Sequence, residues 1–173
     1  DSTNIITPEV SVITNIGLDH TQFLGDTLEK VAVEKAGIIK DRVPVIIGET
    51  SPETKRVFEE IALERNAPIV FAEMNDASTY SSDLKGSYHQ KNIRTVISIL
   101  RMLQKKGWNI SEENIQKGLM NTVKNTGLMG RWQILGQAPK VICDTAHNRE
   151  GLQIVLDQLA SEDFQNLHIV LGV

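Results

Sequence analysis

The 173-residue chain has a single cysteine, Cys143. No disulfide can close within it, and the place of Cys143 in the apolar run Val141-Ile142-Cys143 makes a buried, reduced thiol the expectation, as suits a cytoplasmic protein. No apolar stretch of about 18 residues occurs, so no membrane-spanning helix is expected, and no signal-peptide pattern is present. Basic charge is also in short supply. Lys and Arg number 18 against 22 Asp and Glu, a net charge of −4, which speaks against bulk nucleic-acid binding. No Gly-x-x-x-x-Gly-Lys-Ser/Thr phosphate loop, internal repeat or low-complexity tract is found. What is there is an ordinary globular composition, 40% hydrophobic, enough for a core and for one or two domains. The chain starts at Asp1-Ser2-Thr3-Asn4 without an initiating Met and reads as a fragment.

Helix and strand patterns alternate. Residues 10–16, 43–47 and 69–72 are short β-branched runs, separated by a helix over residues 26–37 and another over residues 53–65. This βαβαβ rhythm predicts an α/β fold with a parallel or mixed sheet covered by helices. In the first helix, Asp26 and Glu29 have capping-box spacing and Gly37 is the stop. Its apolar face, Leu28, Val31 and Ala32, continues at i+7 into Lys35. A lysine so placed either snorkels to water or is desolvated, and desolvation frees its amine for chemistry.

Residues 77–87 are polar and read as a loop. A long helix follows over residues 90–105, with Ile93, Val96, Ile97, Leu100 and Leu103 on one stripe, then a second over residues 112–120 capped by Ser111. Residues 124–130, with Asn125, Gly127 and Gly130, have the composition of an interdomain hinge. Beyond it, residues 132–135 and 140–143 read as strands joined by the turn Gly136-Gln137-Ala138-Pro139, then a helix over residues 150–159 and a terminal strand over residues 168–173. So short a piece looks like the first half of a second α/β domain.

Three further constellations bear on chemistry. Asp19 and His20 follow the first strand, at the edge where open α/β sheets bind ligands; a single loop His is otherwise a solvated or capping residue. Asp144-Thr145-Ala146-His147-Asn148 lies between a strand and a helix N-terminus, a place that favours anions, although Asp144 and Asn148 also suit plain capping. Arg131, thirteen residues before Asp144, is either a surface arginine or a cation that reaches a phosphate across the domain interface.

Together these segments resemble folylpolyglutamate synthase/dihydrofolate synthase of the Mur ligase superfamily. The resemblance rests on Asp1-Ser2-Thr3-Asn4, Ile13-Thr14-Asn15-Ile16-Gly17-Leu18-Asp19-His20-Thr21, Leu24-Gly25-Asp26-Thr27, Glu34-Lys35-Ala36-Gly37-Ile38-Ile39-Lys40, His89-Gln90-Lys91-Asn92, Gly130-Arg131-Trp132-Gln133 and Asp144-Thr145-Ala146-His147-Asn148. Their order and the fifteen-residue interval from His20 to Lys35 are similar to the family's. Thr145 and Arg149 depart from it, standing where the family usually has Gly and Pro.

The resemblance implies a Mur-ligase-type central ATPase domain, a mostly parallel sheet flanked by helices, over residues 1–124, a hinge over 125–130, and the first half of a Rossmann-like C-terminal ligase domain over 131–173. It implies ATP and Mg²⁺ as cofactors, with Lys35 carbamylated by CO₂ and a metal ligand together with His20. Lys35 and His147 are the implied catalytic residues, His147 close to the transferred phosphoryl group; Asn92 would lie near the adenine, and Arg131 and Asp144 would close on the nucleotide. The implied substrates are L-glutamate and a folate or dihydropteroate, joined through an acyl phosphate by a monomeric cytoplasmic enzyme. The phosphate loop and an acidic metal ligand belong upstream of Asp1 in the family, so these residues alone are not expected to turn over. Another Mur-type amino-acid ligase of peptidoglycan precursors and a non-catalytic nucleotide-binding module are the alternatives.

Overall fold

The computed structural model describes residues 5–17 and 26–172. Three parallel strands, β1 (Ser11–Ile13), β2 (Val45–Ile47) and β3 (Ile69–Phe71), lie in the order β1-β2-β3, with Ser11 opposite Val45 and Val45 opposite Ile69. The strands are shorter than their apolar runs suggest, because ladder pairing ends before the hydrophobic residues do. Every residue of β2 is fully buried, as a central strand covered on both faces requires. Helices α1 (Leu28–Ala36) and α2 (Pro52–Glu64) pack together on one face, where Ala32, Ala36, Phe58 and Ala62 meet Val45 and Ile47. By strand alternation Ile46 points to the other face, which α3 (His89–Lys105) covers.

Local chemistry sets the helix ends. Thr27, and not Asp26, caps α1: its side chain accepts the Lys30 amide at 3.3 Å, while Asp26 forms an exposed ion pair with Lys30 Nζ at 2.7 Å. Gly37 ends α1 in a right-handed conformation, so the left-handed glycine stop expected there is not used. Helix α2 begins one residue earlier than its periodicity suggests. Pro52 takes the first helical position, where a missing N–H costs nothing, and Ser51 and Thr54 exchange side-chain to backbone bonds. Ser51 is the cap.

The segment between β3 and α3 starts with a 3₁₀ turn over Ala72–Met74 and is otherwise irregular. It is tied to α3 through Asn75 Nδ2, which donates to Ser98 Oγ at 2.9 Å. Ile93 and Ile97 of α3 pack with Ala77, Tyr80 and Ile115 of α4 (Glu112–Met120) in a second core. Val96 is on the same stripe by spacing but exposed, because α3 turns Thr95 and Ser98 inward on its other buried side. Ser111 caps α4 as expected, accepting the Asn114 amide at 3.1 Å.

The region read as a linker is in part helical. Helix α5 (Thr122–Thr126) takes up its first residues, and Gly127 closes it at φ 67°, the left-handed conformation that glycine adopts without penalty. Antiparallel β4 (Gln133–Gln137) and β5 (Lys140–Cys143) follow, with pairing that continues through Gly136 and Gln137 and leaves Ala138 and Pro139 as the turn. Cys143 is only half-buried, so the sealed thiol expected from its apolar run is not found; Lys140 and Val141 of β5 are exposed and Ile142 is itself only partly covered. Helix α6 (Arg149–Ala160) is capped by Asn148, whose Oδ1 accepts the Gly151 amide at 2.8 Å. Residues 168–172 do not form the expected strand. A strand needs a neighbour for its backbone groups, and none pairs with this segment among the described residues. Among the described residues, no helix is long and apolar enough to cross a membrane.

Candidate nucleotide-binding cleft

The parallel strands deliver their carboxyl ends to one edge. There the chain crosses closely: Gly48 N donates to Ile13 O at 2.8 Å and Glu49 N to Thr14 O at 3.0 Å. A Cβ at Gly48 would lie 2.2 Å from Thr14 O and 2.7 Å from Thr95 Oγ1, so only glycine lets β2 leave the sheet this near to β1 and α3. This crossing sends Asn15 and Glu49 into a cleft of about 480 Å³, beyond the strand ends where open α/β sheets bind ligands. The N-terminal turn of α3 forms one wall with Ser87, Tyr88, Lys91 and Asn92. The opposite wall comes from Arg131, the loop after β5 and the first turns of α6.

Four residues singled out in the sequence, Asn92, Arg131, Asp144 and His147, line this single cleft. Asn92 is exposed on α3. Arg131 Nη1 donates to Gly130 O at 3.2 Å and to Thr145 Oγ1, which orients the guanidinium along the loop. The His147 ring is exposed, its Nδ1 3.1 Å from Thr145 O. Asp144 serves the capping reading and also faces the cleft. Its Oδ1 accepts the Ala146 amide at 2.9 Å, closing a local turn, while Oδ2 accepts the Trp132 amide at 2.7 Å and the Tyr88 hydroxyl at 3.2 Å.

Lys35 is not in the wall. Its side chain is half-buried, and Nζ donates to Asn15 O at 3.2 Å, so it meets the cleft through a residue that lines it. A lysine sealed in apolar surroundings is therefore not what α1 presents; the amine reaches a carbonyl just beyond the strand end. His20 and Asp19 lie outside the described residues. Among the described residues, no group of three or more His, Cys, Asp or Glu side chains could hold a metal ion.

Sequence reasoning missed several of the cleft's polar groups. Lys91 and Glu49 form an ion pair across it at 2.6 Å, joining α3 to the end of β2. Tyr88 precedes the His89-Gln90-Lys91-Asn92 phrase, and that adjacency was the only available signal. Burial, and then the charge of Asp144 and the bond to it, push the Tyr88 phenol up to about 12, so it remains a hydrogen-bond donor at neutral pH. Burial and Arg131 hold the neighbouring His89 imidazole below its ordinary value, with Asp144 opposing. Among the described residues, His89 Nε2 is buried without a hydrogen-bond partner, as a neutral ring tolerates better than a charged one. Gln158 of α6 adds a further fastening, accepting the Ser87 amide at 2.7 Å and donating to Lys85 O at 3.1 Å.

Known proteins are similar to this chain in sequence and in fold. Over 194 residues the chain is 30% identical to the dihydrofolate synthase/folylpolyglutamate synthase of Bacillus subtilis, covering 98% of this chain and 44% of that protein. It superimposes on Escherichia coli FolC in complex with DHPP and ADP with a TM-score of 0.80 at 30% identity, covering 96% of this chain and 41% of that one. An FPGS–AMPPCP–folate complex matches with the same TM-score of 0.80 at 27% identity, covering 94% and 45%. The chain thus spans less than half the length of the relatives it matches. Residues 1–129 match the Mur ligase middle domain, and with that match over most of its length the chain belongs to the Mur ligase family.

Proposed function

We propose that the protein of which these residues form part is an ATP-dependent ligase that adds L-glutamate to a folate, or to dihydropteroate. The observation that carries this reading is the convergence of Asn92, Arg131, Asp144 and His147 on one cleft beyond the carboxyl ends of the parallel strands. Relatives named for this activity, and solved structures with ADP or AMPPCP in place, support it.

The residues present fit a nucleotide. The cleft is large enough for one, and its walls offer a side-chain amide, a guanidinium, a carboxylate and an imidazole. Asn92 reads the adenine edge, and Asp144 accepts from a hydroxyl of the sugar. Arg131 places positive charge beside phosphate oxygens, and His147 stands next to the transferred phosphoryl group. A carboxylate is a poor acylating agent; transfer of the γ-phosphoryl onto it gives an acyl phosphate with ADP as leaving group, and the glutamate amine displaces phosphate through a tetrahedral intermediate. In such transfers the protein contributes positioning and charge neutralisation. For Mg²⁺ the described residues offer no complete ligand set. Lys35, as a carbamate, is the proposed oxygen donor and His20 its companion; when bound, the ion would neutralise phosphate charge. The domain division is part of the same reading: a central ATP-binding unit over residues 1–124, a hinge over 125–130 and a ligase unit from 131, in a monomeric cytoplasmic enzyme whose closure excludes water from the acyl phosphate.

The test is turnover by the intact protein. ADP release should require L-glutamate together with dihydropteroate or a reduced folate, and Lys35→Met should lower the rate by several powers of ten while leaving the fold intact. Release driven by a muramyl peptide acceptor would reassign the substrate to peptidoglycan chemistry. No nucleotide turnover with any acceptor would leave a binding module.

A further inference from the structure

The Asp144 carboxylate has about four lone-pair sites, and three are taken. The Trp132 amide and the Tyr88 hydroxyl hold Oδ2, and the Ala146 amide holds Oδ1. The capacity left to accept from a ligand in the cleft is therefore on Oδ1, and it stays there only while Oδ2 is pinned. Two of the three donors are backbone amides of the same hairpin and loop as Asp144. Tyr88 is the exception, 56 residues away in sequence at the start of α3. Its ring packs against buried His89, centroids 4.2 Å apart at 46°, so the hydroxyl is delivered by a supported side chain.

We propose that Tyr88 is a positioning residue for nucleotide binding, acting through Asp144: its hydroxyl fixes which carboxylate oxygen faces the cleft and ties the α3 wall to the β5 wall. The inference rests on the ligase reading for the identity of the ligand, but the tie between the walls does not depend on it. Since the phenol stays protonated far above neutral pH, the donor is present under all working conditions. Gln158, bonded to the backbone of residues 85 and 87, holds the segment leading into Tyr88 from the other side and limits how far the tyrosine can withdraw.

Tyr88→Phe removes the hydroxyl and keeps the ring on His89, so it separates positioning from packing. ATP titrated calorimetrically into the intact protein should bind about tenfold more weakly to Tyr88→Phe, the scale of one hydrogen bond to a charged group. Asp144→Asn should weaken ATP by at least as much, and adding Tyr88→Phe to it should change affinity by less than about twofold, since the two residues act as one unit. In turnover the loss should fall on the KM for ATP with kcat nearly kept. Unchanged ATP affinity in Tyr88→Phe, or fully multiplicative losses in the double variant, would overturn the proposal. A readout that needs no nucleotide is NMR titration of carbon-labelled tyrosine. The Tyr88 signal is the one missing in Tyr88→Phe. Its ionisation midpoint should drop in Asp144→Asn; an unmoved midpoint would refute the contact itself, whereas a moved midpoint with no ATP binding by the wild-type protein would sink the ligase reading and leave the tie standing.

Discussion

The part of the molecule built on β1, β2 and β3 and the part built on β4, β5 and α6 use similar residues to different ends. In the first, Val45, Ile46, Ile47 and Phe58 are wholly removed from water, and α1 and α2 turn apolar faces onto the sheet. In the second, Trp132 is the deeply buried apolar side chain, while Leu135 is 60% exposed and no residue of α6 is buried. The first part is therefore held by its own core. The second is placed largely by polar contacts across the cleft, through Asp144 with Tyr88 and Gln158 with residues 85 and 87. A scaffold that is rigid on one side and fastened by a few hydrogen bonds on the other lets ligand contacts count in the balance, because each fastening contributes only about 1 kcal/mol net, or somewhat more when charged.

The sharpest way to break this comparison is Phe58→Ala. A fully buried phenylalanine truncated beneath β2 should cost about 3–5 kcal/mol, read as loss of hydrogen-exchange protection in β2 amides of the intact protein. Protection in β4 and β5 should fall much less; equal losses in both would mean that the two parts unfold as one. Leu156→Ala in α6 makes the reciprocal case. Leu156 is 48% exposed, so truncation should cost about 1 kcal/mol or less, and a loss on the Phe58 scale would show that α6 is buried against something in solution.

The smallest expected effect is a pH dependence at the seam. His89 is held neutral by burial first and by Arg131 second. Its folded pKa lies below the ordinary value, so the unfolded chain takes up a proton that the folded chain refuses. Stability from this group is then complete above about pH 6.5 and declines as the pH falls below it. His89→Gln should flatten the decline in urea midpoints measured from neutral pH downward; an unchanged slope would mean that His89 does not titrate in that range.

Much of the fold was legible because its determinants are local. The 3.6-residue periodicity of residues 90–105, the Ser111 cap and the β-branched runs around Val45 and Ile69 each act over one or two turns of chain, and the elements appear within a few residues of where those signals put them. Local signals also mislead where two neighbours compete. Asp26 and Thr27 both suit a cap, and the ion pair of Asp26 with Lys30 leaves the role to Thr27. Helix α5 was hidden for a related reason: five residues carry too little periodicity to stand out from a glycine-bearing linker.

The sequence by itself determined the alternation of strands and helices, the polar loops at strand ends and the residue types in them, since propensity, capping and amphipathic spacing are properties of neighbours along the chain. The family resemblance implied that Asn92, Arg131, Asp144 and His147 gather at one nucleotide, but only the tertiary structure decided that they line one cleft, that Lys35 bonds the Asn15 carbonyl, and that Tyr88 completes the Asp144 carboxylate. It likewise decided that residues 168–172, which carry the apolar run Ile169-Val170-Leu171, form no strand among the described residues. The reason is the same in each case. A hydrogen bond between distant segments, or a strand's ladder, exists only when folding brings its second partner within about 3 Å, and no pattern along the chain encodes that distance.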